Sequence, residues 1–77
     1  MKSVMVYLDS IEKVKGLVTA LSPVACDFDL VSDRYVVDAK SIMGIFSLDL
    51  SKKLRLDIHD DAVAEDLIPQ IKSFIVE

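Results

Sequence analysis

The apolar residues of this chain change their period repeatedly, and that alternation restricts the possible folds more than any single motif does. Val4, Val6 and Leu8 alternate with Met5 and Tyr7, the two-residue repeat of a strand whose side chains point to its two faces in turn. Because both sets are apolar, this first strand reads as one placed inside a sheet rather than at its edge. From Ile11 the spacing becomes helical, with Ile11, Val14, Leu17, Val18 and Leu21 on one face. Asp9 or Ser10 can cap the helix, and Asp9-x-x-Glu12 has the form of a capping box. Ser22-Pro23 ends it, since proline supplies no backbone donor and disfavours helical geometry in the residue before it.

The period then returns to two. Cys26, Phe28 and Leu30 alternate with Asp27 and Asp29, so the second strand buries one face and wets the other. Ser32-Asp33 turns the chain, and a third strand from Arg34 to Ala39 returns antiparallel with Tyr35, Val37 and Ala39 on one side. Ser41 is placed to cap a short helix through Leu48, which carries a central Gly44 and is too short to be stable unless it docks on the body of the protein. Within it, Ile45 and Leu48 are expected to be buried, with Met43 and Phe46 at least partly exposed. Leu54, Leu56 and Ile58 alternate with Arg55, Asp57 and His59 in a half-buried fourth strand. Val63, Leu67, Ile68, Ile71, Phe74 and Ile75 share one face of a final helix that starts at Asp60 and Asp61. Pro69 removes a hydrogen bond from that helix and opposes the carbonyl of Glu65, which predicts a kink or break.

The order βαββαβα defines an α+β fold, a four-stranded antiparallel sheet covered on one face by helices, and residues 1–77 form one domain. A composition 52% hydrophobic and 29% charged is that of a globular chain. The net charge of −4 argues against nucleic-acid binding, so the expected partners are proteins. Asp9, Glu12, Lys13 and Lys15 follow the amino terminus too closely for a signal-peptide core or membrane span, which implies a cytoplasmic chain with no membrane partner. Cys26 has no second cysteine to pair with and reads as a small buried hydrophobe. No nucleophile, base and orienting group come together by spacing, so neither enzymatic activity nor a cofactor is expected. Asp57, His59, Asp60 and Asp61 are metal-binding residue types. Asp57 and His59 nevertheless belong to the solvated face of a strand and the two aspartates to a helix start, so no metal site is expected.

Lys40-Ser41-Ile42-Met43-Gly44-Ile45-Phe46-Ser47-Leu48 resembles the regulatory segment of the HPr family, the histidine-containing phosphocarriers. The resemblance extends back without a gap through Ala25 to Leu30, and more loosely forward through Leu54 to Ile58 and the final helix. It implies an HPr-like open-faced β-sandwich in which the first and fourth strands are antiparallel neighbours. It also implies a role in the sugar phosphotransferase system. The family's first helix opens on a His-Ala-Arg-Pro segment whose histidine carries phosphate. The same gapless count brings Ser10 to the histidine position and Glu12 and Lys13 to those of the arginine and proline. The only histidine in the chain is His59.

In many members the serine before Ile-Met-Gly is phosphorylated by a dedicated kinase, which carries that role onto Ser41. A phosphate there would lie at a helix amino terminus beside Lys40. The residues matching the family's docking patch for the kinase and for a transcription regulator are Ile42, Met43 and Phe46. A catabolite-repression branch of the family also lacks the acceptor histidine and keeps this serine. The resemblance therefore implies a noncatalytic regulatory or adaptor protein that binds a protein partner through the Ser41 helix. Two alternatives stand beside it: a phosphocarrier with an unusual acceptor such as His59, and an unrelated small α+β interaction module. Ser10 itself reads as a helix cap, and the oligomeric state is not legible.

Overall fold

The changes of period become elements in the expected order. The computed structural model describes residues 1–33 and 35–76. They form β1 (Lys2–Val6), α1 (Ile11–Leu21), β2 (Phe28–Ser32), β3 (Tyr35–Asp38), α2 (Ile42–Phe46), β4 (Leu54–Ile58) and α3 (Asp61–Leu67), followed by a 3-10 segment, Ile68–Phe74. The strands make one antiparallel sheet in the order β1-β4-β2-β3. Val4, Leu56, Leu30 and Val37 stand opposite one another across it, so one face is apolar from edge to edge. Val14, Leu17 and Leu21 of α1, Ile45 of α2, and Ala64, Leu67 and Ile71 cover that face and are buried with Val6, Phe28, Leu30 and the apolar residues of β4. Each large side chain so removed from water contributes about 1.5–3 kcal/mol.

Several local expectations give way to packing. The first strand ends at Val6 rather than Leu8 and lies at an end of the sheet, not inside it. Backbone groups along its outer margin are satisfied by the chain's own tail: the Tyr7 N–H donates to the Phe74 carbonyl at 3.0 Å and the Val76 N–H to the Met5 carbonyl at 2.9 Å. Cys26 precedes β2 and is half-buried, packed against the core from the loop. The expected start of the third strand at Arg34 lies outside the described residues. Tyr35 is on the core side of the sheet by register but stays exposed, because it stands next to the hairpin turn, beyond the cover of the helices.

The last segment breaks where proline requires it. α3 stops at Leu67, and Pro69 sits in the first turn of the tighter 3-10 segment, which bends at Ile71 (φ −107°, ψ 17°). This segment crosses α1 at Gly16, where a β-carbon would stand 3.0 Å from Cζ of Phe74. The glycine, unfavourable inside a helix by about 1 kcal/mol, makes room for that ring.

Candidate functional site

α2 is held at both ends and through its middle. Ser41 adopts an extended conformation, and its Oγ accepts from the Gly44 N–H at 3.2 Å, satisfying one of the free donors of the first turn. At the other end the Ser47 hydroxyl donates to the Gly44 carbonyl at 2.6 Å. The helix ends at Phe46, capped by Ser47, rather than running through Leu48; Ile45 within it and Leu48 just beyond it are both buried, as expected, and anchor it in the core. A β-carbon on Gly44 would lie 3.3 Å from both Ser41 Oγ and Val37 Cβ. Glycine thus lets the helix settle against β3 without pressing on its own cap.

The opposite side of α2 faces water. Met43 is 79% and Phe46 43% exposed, while Ile42 is half-buried against the core. The helix thus presents a thioether and a phenyl group to solvent. Lys40 does not behave as its sequence position implies. Its ammonium donates to the Val24 carbonyl at 2.6 Å and lies 5.4 Å from the centre of the Phe28 ring. It is directed into the fold, away from the role of a counter-ion for Ser41.

Ser10 caps α1, its Oγ accepting from the Lys13 N–H at 3.2 Å. The reciprocal capping box from Asp9 is not formed; Asp9 instead pairs with Lys13 Nζ at 3.0 Å. His59 lies at the far end of the sheet. It follows Ile58, which pairs with Lys2, whereas Ser10 follows the end of β1 where Val6 pairs with Leu54. The intervening length of β4 is about 13 Å. His59 Nε2 is 2.7 Å from Asp29 Oδ2.

Asp57, Asp60 and Asp61 are each engaged separately. Asp57 is not solvated as its alternation predicts. It is only 6% exposed on the helix-free face of the sheet. There it accepts from Ser3 Oγ at 2.6 Å and from Arg55 Nε at 2.9 Å and Nη2 at 3.2 Å. Burial works to raise its pKa, but the Ser3 hydroxyl and the Arg55 guanidinium outweigh it and hold the carboxyl below its ordinary value. Asp60 caps α3 through the Ala62 and Val63 N–H groups at 2.9 and 3.2 Å. Asp61 pairs with the Met1 amine at 2.8 Å, which lowers its pKa. Sequence reasoning missed the Ser3–Asp57–Arg55 cluster because it joins two strands distant in sequence. The two-residue spacing of Arg55 and Asp57 on one strand face was the available signal.

A four-stranded antiparallel sheet with helices on one face and a short capped helix between the third and fourth strands is the HPr-like open-faced sandwich, and this chain has that fold. Among solved structures, HPr-C-His from Thermoanaerobacter tengcongensis is 25% identical, with a TM-score of 0.75 over 95% of this chain and 93% of that one. The phosphocarrier protein HPr from Bacillus anthracis str. Ames is 23% identical, with a TM-score of 0.71 over 97% and 94%. No protein-family profile and no curated protein sequence matches the chain. Among the described residues no helix is long and apolar enough to cross a membrane.

Proposed function

We propose that this chain is a noncatalytic regulatory or adaptor protein related to the phosphotransferase system. In this reading it acts in the cytoplasm and binds a protein partner through Ile42, Met43 and Phe46, under control of phosphorylation at Ser41. The observation that supports it is the joint geometry of α2: a serine hydroxyl at the helix start, followed by Met43 and Phe46 projecting into water from a helix held by Ile45 and Leu48.

A phosphate on Ser41 Oγ adds about 1.5–2 negative charges beside the first turn of α2. The hydroxyl is half-buried in its cap, so a kinase must draw it out of that hydrogen bond. Once added, the phosphate alters the charge next to Met43 and Phe46. The fitting partners are a serine kinase of the HPr type and a transcription regulator that reads the modified surface. Ser10 takes the place of the acceptor histidine in this reading and acts as the cap of α1.

The test is incubation of the purified protein with an HPr-type serine kinase and ATP and, separately, with the phosphoenolpyruvate-dependent kinase. Any phosphate is then located by intact-mass and fragment mass spectrometry. Phosphate on Ser41 alone is the expected result. Acid-labile phosphate on His59 would replace this reading with a carrier role, and no modification in either reaction would remove phosphorylation from it.

A further inference from the structure

The two edges of the sheet are finished differently. β1 is closed by the chain's own tail, through Phe74 and Val76. β3 has no strand beyond it among the described residues. Its free hydrogen-bonding groups follow from the register. The Ala39 N–H donates to the Phe28 carbonyl at 3.0 Å, so residues 39, 37 and 35 turn their backbone groups toward β2, and Val36 and Asp38 turn theirs outward. Part of this outward set is already used. The Asp38 carbonyl accepts from the Ser41 N–H at 3.0 Å, and the Asp38 carboxylate takes the Lys40 N–H at 2.9 Å. Val36 is left with both its N–H and its C=O facing out. It is also 61% exposed, and Tyr35 on the other face of the same strand is 66% exposed.

A residue offering one donor and one acceptor on an antiparallel edge is matched by a second copy of itself across a two-fold axis. We infer that β3 is a self-association edge, on which two copies of this chain pair antiparallel with Val36 opposite Val36. The pair exchanges two hydrogen bonds, from each Val36 N–H to the other Val36 C=O, and each Tyr35 lies over Val37 of the other copy. The open groups of Val36 set this register, and charge permits it. It keeps the two Asp38 carboxylates four residue steps apart, about 14 Å along the strands, beyond the Debye length of about 8 Å at physiological ionic strength. Shifting the axis to Val37 halves that separation and brings them within the Debye length. The two-fold lies normal to the sheet, so both helical layers fall on the same side and the association closes at two copies. An edge of four residues buries less than the roughly 1,200 Å² of a stable interface, so the dimer is weak and reversible.

The test replaces the native thiol, then traps the pair. In a Cys26→Ser background, Val36→Cys sets two thiols on residues whose α-carbons are about 5.5 Å apart in a hydrogen-bonded antiparallel pair, within the range a disulfide spans. Ile11→Cys, exposed on α1, is the collisional control. The expected result is at least about tenfold faster formation of disulfide-linked dimer for Val36→Cys in a glutathione redox buffer. Equal rates overturn the inference. On the unmodified chain, amide NMR shifts are expected to change with protein concentration, centred on Tyr35 to Asp38, and to stop changing in Val36→Lys. Concentration-dependent shifts centred on α2 or on the helix-free face of the sheet would also overturn it.

Discussion

Removing the Ser41 hydroxyl separates its role as a cap from any role as a modified residue. In Ser41→Ala the Gly44 N–H loses its acceptor, and loss of a serine cap costs typically about 1 kcal/mol. For 77 residues, an unfolding entropy of about 2.1 cal/mol/K per residue gives about 0.16 kcal/mol/K, so the expected fall in Tm is about 6 °C. Ser41→Asp keeps an acceptor at the same place and adds negative charge at a helix start, where it is favourable by about 0.3–1 kcal/mol. Its Tm should therefore lie about 2–6 °C above that of the wild type. Reversible thermal melts followed by far-UV circular dichroism at neutral pH measure all three proteins. An alanine variant as stable as wild type, or an aspartate variant less stable than alanine, would refute the capping argument. The second outcome would mean that the Ser41 environment rejects charge, as a helix acting purely as core does.

Asp57→Asn should cost about 1–3 kcal/mol at pH 7, since it removes the charge that Ser3 and Arg55 stabilise in a buried place. The folded carboxyl titrates below its ordinary value of 3.8, so its contribution is complete above the unfolded value and lost as pH falls through the folded one. Urea denaturation should show the gap between the two proteins narrowing as pH falls through and below 3.8, and a constant gap would contradict this. Gly16→Leu should destabilise by about 1–3 kcal/mol despite leucine's better helix propensity, because the new side chain meets Phe74. In a Phe74→Ala background the same change should stabilise by about 0.5 kcal/mol. Lys40→Met should cost about 1.5 kcal/mol through the lost bond to the Val24 carbonyl, an effect absent if the ammonium merely sits in water.

The parts of this fold readable in advance are those decided by local period. Leu54, Leu56 and Ile58 alternate because β4 lies between β1 and β2 with one face under the helices. Ile45 faces inward and Met43 and Phe46 outward because a helix of this length has only one side to bury, and Leu48 is buried just past its end. Pro69 ended α3 by removing a donor, a purely local effect. What resisted prediction depends on partners distant in sequence. Nothing between Lys2 and Leu8 signals that Phe74 and Val76 will close the β1 edge. The burial of Asp57 needs Ser3 from another strand, and the direction of Lys40 needs Val24 and Phe28. The position of Ser41 and the exposure of the residues behind it were legible, whereas the direction of the neighbouring charge was not.

The most direct test of the account is the rate at which an HPr-type serine kinase phosphorylates Ser41 in the wild type and in Met43→Ser/Phe46→Ser. Both side chains are exposed and outside the core, so the double variant should melt within about 3 °C of the wild type. If α2 is a docking surface, kcat/KM should fall at least tenfold, equivalent to about 1.4 kcal/mol of lost transition-state binding, with the phosphate still on Ser41. Equal kcat/KM for the two proteins, or no phosphate on Ser41 in either, would contradict the claim that α2 is the surface through which this protein is recognised and regulated.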